Sequence, residues 1–206
     1  MSLRSDTRAI QKIVGAKADG VYGPRTAGLV LAHLKQADDV VELPRVTVPD
    51  SKTIDARTLK NLATLEPKAQ VKFKKFILRA QAIAAALGCD YKAISGTRGK
   101  AEQNKLYAKG RTTPGRKVTN ARYGYSNHNF AIALDFGVFA GNKYIDNTDP
   151  SRASAVHRAV AAVAEEYGID WGGNWKSFKD VPHFEVKSNL TTAQKRARLF
   201  SGKPIL

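Results

Sequence analysis

Apolar positions recur along this chain at two different periods. Near the N-terminus Ile10, Ile13 and Val14 return at helical spacing, and after a turn Val30, Leu31 and Leu34 do so again. The turn itself, Ala18 to Gly23, reads Ala-Asp-Gly-Val-Tyr-Gly and places two glycines where positive φ is expected. Pro24 then suits the first turn of the second helix. Residues 1–44 are therefore read as a small all-α module, whose core is too small to stand without a neighbour. The prolines and scant helical pattern that follow make residues 45–54 an extended linker.

A larger unit is expected over residues 55–206. Pro67 opens a long helix whose Phe73, Phe76, Ile77, Ala80, Ile83, Ala84 and Leu87 form one stripe, and Gly88 ends it. Tyr91 to Ser95 is strand-like, and Lys100 to Lys109 reads as a short helix closed by Gly110. Residues 111–127 form a long loop rich in Gly, Thr, Asn and Arg, of the kind that often carries function. Ala131 to Phe139 alternates as a strand. Ser151 can cap a helix with Val156, Val160, Val163 and Tyr167 on its buried face, stopped by Gly168. Val181 to Val186 is a last short strand. This order gives an α+β domain, with a small antiparallel sheet flanked by helices, beside the all-α module.

Composition narrows the partners. The 206 residues are 43% hydrophobic and 25% charged, as in a folded globular protein. Lys and Arg number 34 against 18 Asp and Glu, a net charge of +16, which points to a polyanionic partner: nucleic acid, an anionic membrane surface or an anionic cell wall. No apolar run is long enough to span a bilayer, and Met1 to Ile10 lacks the pattern of a secretory signal. Cys89 is the single cysteine, so an intrachain disulfide and a multi-cysteine zinc site are excluded. Any metal must be held by His with Asp or Glu.

Only four histidines compete for that role. His33 lies beside an apolar stripe, and His157 sits on a helix with no carboxylate at a suitable spacing; both read as structural. His128 and His183 each come with acids. In Ala131–Phe136 the strand alternation turns Ile132, Leu134 and Phe136 one way and Ala131, Ala133 and Asp135 the other. Two alanines beside a carboxylate leave an open space that a metal can use. His128 is an odd seven residues from Asp135, so it must come from the preceding loop. In Asp180-Val-Pro-His183-Phe-Glu185-Val the residues His183 and Glu185 share a face, and the proline bend can fold Asp180 back toward His183. Two histidines and a carboxylate leave a tetrahedral zinc one open position for water. A further, unligated carboxylate, Asp180 or Glu185, is then needed to take and return a proton.

These motifs resemble a known family. Ser126-x-His128 followed by Ala133-x-Asp135 and then Asp180-x-x-His183 is similar to the zinc signature of the D-Ala-D-Ala carboxypeptidase/VanY superfamily of peptidoglycan peptidases. Ile94-Ser-Gly-Thr-Arg98 through Gln103 resembles its arginine-bearing segment. Trp171-Gly-Gly-Asn-Trp175 through Glu185 is similar to the L-alanyl-D-glutamate endopeptidase branch, which includes many bacteriophage endolysins. The resemblance implies one zinc ion held by His128, Asp135 and His183, with Asp180 as general base. Arg98 is implied near the substrate carbonyl or carboxylate, and Glu185 in a supporting role. Ser126, Gln103 and Trp171 are expected to contact substrate, with Trp175 helping to shape the pocket. One position departs from the family: Ala131 stands where it usually has glycine, and positive φ there would strain alanine.

Ile10-Gln11 through Thr26 resembles the helical peptidoglycan-binding module of cell-wall hydrolases, which puts Asp19, Gly20, Tyr22, Gly23 and Thr26 on its turn. The expected protein is thus a monomeric zinc endopeptidase and endolysin. It would cleave the L-Ala-D-Glu bond of peptidoglycan stem peptides and lyse the host cell. It would wait in the host cytoplasm, be released by a holin and act at the periplasm and cell wall. The alternatives are a D-Ala-D-Ala carboxypeptidase or dipeptidase, and a non-catalytic wall-binding protein; no nucleic-acid motif accompanies the charge. The basic tail Lys195-Arg196-Ala-Arg198-Leu-Phe200 either touches anionic wall or outer-membrane lipid, or packs Leu199 or Phe200 on the domain.

Overall fold

The computed structural model describes Ser51 and residues 53–206. The expected N-terminal module, with Asp19, Gly20, Tyr22, Gly23 and Thr26, lies outside the described residues, as does most of the expected linker.

A twenty-residue helix organises the domain. Pro67 occupies the first turn of α2 (Pro67–Ala86), as its fixed φ favours. Ala69, Phe73, Phe76, Ile77, Ala80 and Ala84 form its fully buried face. Phe76 meets Phe73, Phe136, Phe184 and Tyr167 at ring-centroid distances of 6.3, 6.1, 5.3 and 5.9 Å. Each such ring contributes about 1.5–3 kcal/mol on burial. Gly88, at φ 69, turns the chain out of the helix. A shorter helix, α1 (Ala56–Leu62), precedes it; Asp55 caps it by accepting a hydrogen bond from the Thr58 N–H. The sequence pattern did not reveal α1, because seven residues hold too few apolar repeats.

The helices pack on a five-stranded antiparallel sheet made of β1 (Asp90–Ser95), β2 (Ala133–Ala140), β3 (Lys143–Tyr144), β4 (Ile169–Trp171) and β5 (His183–Val186). Its order is β1-β2-β5-β4, with β3 forming a hairpin on β2. Ile132, Leu134 and Phe136 point into the core, together with Phe184 and Val186 of β5. The remaining helices are α3 (Lys100–Ala108), α4 (Pro150–Ala161) and α5 (Thr192–Phe200). The α+β architecture expected for residues 55–206 is present.

Several local expectations change. The strand expected from Ala131 begins at Ala133, because Ala131, at φ 56, still belongs to the turn before it. Asp149, not Ser151, caps α4, because Pro150 takes the first helical position and Asp149 then accepts the Arg152 N–H. The helix stops at Ala161; Ala164–Tyr167 continues as a 3-10 turn before Gly168 at φ 67. His157 also has a carboxylate partner after all. Its Nε2 lies 2.8 Å from Asp146 Oδ1 and its Nδ1 lies 2.8 Å from the Tyr91 hydroxyl; His157 and Tyr91 are buried and Asp146 is half-buried. Asp146 comes from the β3–α4 connection, which spacing along one helix cannot reveal.

Candidate active site and metal centre

The sheet brings two of the expected ligands side by side. In the β2–β5 ladder Asp135 is the direct partner of His183, so both side chains leave the same face. His128 arrives from the turn before β2. Ser126 Oγ accepts the His128 N–H at 3.3 Å, and Asn129 Oδ1 accepts the N–H groups of Gly124 and Ser126 at 3.0 and 3.3 Å. This polar turn ends at Ala131, the only described non-glycine residue at positive φ (56°). The strain expected from alanine at that position is therefore built into the loop that carries His128.

Three donor atoms converge. His128 Nε2 lies 3.0 Å from Asp135 Oδ1 and 3.1 Å from His183 Nδ1, and His183 Nδ1 lies 3.1 Å from the same Asp135 oxygen. The other ring nitrogens fix the tautomers. His128 Nδ1 lies 2.7 Å from the Gly96 carbonyl, which can only accept, so Nδ1 carries the proton. His183 Nε2 likewise donates to Glu185 Oε2 at 2.8 Å. In the neutral rings, Nε2 of His128 and Nδ1 of His183 are thus bare acceptors facing a carboxylate oxygen. Acceptors that close, with both histidines buried and Asp135 half-buried, are stabilised by a cation or a proton among them. Tetrahedral bonds of about 2.0–2.1 Å would set such donors roughly 3.3–3.4 Å apart, close to the triangle present. The donor set fits a divalent metal ion.

Charge balance says the same. Burial raises the Asp135 pKa, but His128, His183 and Arg98 outweigh it and hold the carboxyl well below its ordinary value. Burial pulls His183 down, yet hydrogen bonds to Asp135 and Glu185 push it up to about 9. The site therefore favours a positive charge at its centre.

These residues floor a cleft of about 600 Å³, which Arg98, Ser126, Asp180 and Glu185 also line. Burial, reinforced by Asp135, raises the Asp180 pKa against the opposing pull of His183, His128 and Arg98. The proline bend folds Asp180 back as expected: its carbonyl accepts the His183 N–H at 3.1 Å and its own N–H reaches the Gly172 carbonyl at 3.1 Å. Gly172 is required there, since a Cβ would lie 2.6 Å from the Asp180 oxygen. A Cβ on Gly173 would lie 2.2 Å from the Trp171 ring. The Gly-Gly pair thus lets a tryptophan and the Asp180 turn pack against one backbone.

Arg98 reaches the cleft through Ser95 Oγ, 3.0 Å from its Nε, and its Nη2 binds Asp135 Oδ2. Trp171 stands behind the wall, not in it: its Nε1 donates to the Val181 carbonyl at 2.7 Å and its ring stacks on Phe184. Trp175 instead faces the cleft, 4.9 Å from the His183 ring. Gln103 is fully buried and outside the lining; it donates to the Ala121 carbonyl at 2.7 Å and props the cleft loop from behind. Neither side chain lines the cleft.

Residues 119–186 match the sequence profile of a family described as D-alanyl-D-alanine carboxypeptidase. Over 115 residues the chain is 37% identical to the peptidoglycan L-alanyl-D-glutamate endopeptidase CwlK of Bacillus subtilis (strain 168), covering 53% of this chain and 68% of the relative. The chain belongs to this peptidase family. Two solved structures are also similar. One is the L-Ala D-Glu endopeptidase ChiX of Serratia marcescens, with TM-score 0.45 and 21% identity over 64% of this chain and 87% of that one. The other is the D,D-pentapeptidase VanY in complex with zinc, with TM-score 0.41 and 12% identity over 68% of this chain and 81% of that one.

This member of the carboxypeptidase family has supporting residues that sequence reasoning missed. Asn129 Nδ2 donates to the Arg98 carbonyl at 3.0 Å, tying the arginine segment to the His128 turn. Asn127 Nδ2 donates to Glu185 Oε2 at 2.6 Å, and Lys195 Nζ donates to Asn127 Oδ1 at 3.0 Å. The two asparagines flanking His128 were the available signal. The sequence marked Lys195 only as part of the basic tail, not as a partner of the site.

Proposed function

We propose that this protein is a zinc-dependent endopeptidase that cleaves the L-Ala-D-Glu bond of peptidoglycan stem peptides. The carrying observation is the triangle of bare acceptors from His128, Asp135 and His183 in a cleft that also holds Asp180. The 37% identity to an endopeptidase named for that bond supports the specificity.

Zinc, when bound, supplies Lewis acidity and lowers the pKa of a coordinated water toward ~7. The Asp180 carboxylate takes the proton of the attacking water and returns it to the leaving amine. Burial, which raises its pKa, suits it to both halves of that cycle. Arg98 holds Asp135 in place and brings positive charge to the cleft wall, where the oxyanion develops. Trp175, Phe178 and Tyr125 give the rim an apolar lining that excludes water from the bound peptide. The +16 charge concentrates the enzyme on an anionic wall, in keeping with an endolysin role.

Mass spectrometry of peptidoglycan digested with and without chelator tests the reading. New D-glutamate amino termini that vanish with chelator are expected. Released terminal D-alanine would move the enzyme to carboxypeptidase specificity, and wall binding without any product would leave it non-catalytic.

A further inference from the structure

The C-terminal helix α5 carries three basic side chains within four residues, and one of them turns inward. Lys195 is only 8% exposed, the one lysine or arginine among the described residues that is buried. A buried ammonium is costly unless it is matched. Its match is Asn127 Oδ1 at 3.0 Å, with the Phe130 ring 5.9 Å away. The helix that presents it is firmly mounted: Thr191 and Gln194 form a capping box, Arg196 stacks 4.1 Å from the Tyr125 ring, and Phe200 meets Tyr123 at 6.2 Å.

We propose that Lys195 is a positioning residue for the metal centre, acting through Asn127 and Glu185 on the His183 ring. The reading rests on the metal site described above and on the donor and acceptor capacity of each group in turn. An ammonium can only donate, so it selects the oxygen end of the Asn127 amide. The amide nitrogen must then face Glu185, 2.6 Å from Oε2. A carboxylate can only accept, so Glu185 takes both this N–H and the His183 Nε2–H, 2.8 Å away. His183 is left with its Nδ1 lone pair directed at Asp135 and His128. Reversing any one group would put two donors or two acceptors face to face. The chain runs in one direction only, and Lys195 is its fixed end. Without the ammonium, the Asn127 amide keeps only Glu185 of the two partners that set its orientation, and the ring is held less firmly. Outer hydrogen-bond partners of metal-bound histidines commonly change metal affinity by about 10–100-fold.

The test measures zinc affinity by competition with a chromophoric chelator on the full chain. Lys195→Met is expected to weaken zinc binding about tenfold, at the low end of that range because three hydrogen bonds separate it from the His183 ring. Lys195→Arg, which keeps a donor-only cation, is expected to recover part of the loss. In a Glu185→Gln background, Lys195→Met should cause no further loss. Thermal unfolding of the metal-free proteins runs alongside. If Lys195→Met lowers metal-free stability while zinc affinity is unchanged, the residue merely anchors α5 and the proposal is overturned. A full tenfold loss persisting in the Glu185→Gln background also overturns it. Wild-type protein that binds no stoichiometric zinc would instead sink the metal-site reading itself.

Discussion

Arg98 holds the oxygen of Asp135 that the two histidines leave free. Its Nη2 binds Oδ2, while His128 and His183 both face Oδ1. One carboxylate is therefore divided between a guanidinium and the metal position, which fixes the oxygen that points inward. Arg98→Lys loses the planar fork that spans Ser95 and Asp135. It should weaken zinc binding about 10–100-fold and lower kcat with it. Unchanged zinc affinity with a raised KM would confine Arg98 to substrate binding. His128→Ala and His183→Ala remove a donor outright and should abolish stoichiometric zinc and activity together.

The metal-free protein should show a distinctive pH dependence. His183 is pushed up to about 9 by its carboxylate partners, from an ordinary 6.5. A pKa raised on folding contributes stability that is complete below pH 6.5 and is lost as pH rises through 9. Chelator-treated protein should lose about 1–3 kcal/mol across that window, seen as a falling Tm. Zinc-loaded protein should not, because the metal replaces the proton. A flat Tm for the chelated protein would contradict the assignment.

Asp180→Asn should keep zinc and lose turnover. Removing a general acid–base group costs about 10²–10⁴ in kcat. Metal content and stem-peptide hydrolysis, measured on the same sample, separate the two effects. Loss of zinc in this variant would make Asp180 a ligand.

Ala131→Gly should stabilise the protein. Relief of a left-handed alanine is worth about 1–2 kcal/mol, and the added freedom of glycine in the unfolded chain offsets about 0.4–1. A net gain of about 0.5–1 kcal/mol corresponds to a Tm rise of roughly 1–4 °C. A lower Tm would show that the Ala131 methyl makes contacts worth more than the strain.

His157→Phe should destabilise the fold by about 2–4 kcal/mol, since it strips buried Tyr91 and half-buried Asp146 of a shared partner. Zinc affinity should be unchanged, because this network lies apart from the metal cleft. A matching fall in zinc affinity would show that the two networks are coupled.

The sequence by itself determined the scaffold of this domain and the chemistry it carries. The stripe from Phe73 to Ala84 dictated a helix, the alternation around Asp135 and His183 dictated two strands, and the scarcity of cysteine and histidine left few ligands. Such features are local: periodicity and residue type survive without knowledge of what lies opposite. The strain at Ala131 was legible only through the family resemblance, which puts glycine there; the residue pattern alone read Ala131 as strand.

Only the tertiary structure decided the surroundings of those residues. The register that pairs Asp135 with His183 joins positions 48 apart, and the network from Lys195 to Glu185 crosses from a helix to a strand through a turn residue. Trp171 and Trp175 have the same type and nearly the same position in sequence, yet one supports the wall and the other faces the cleft. Gln103 and His157 likewise found partners that no spacing rule connects. Hydrogen-bond partners across a fold depend on where the elements dock, and docking is set by the packed core as a whole.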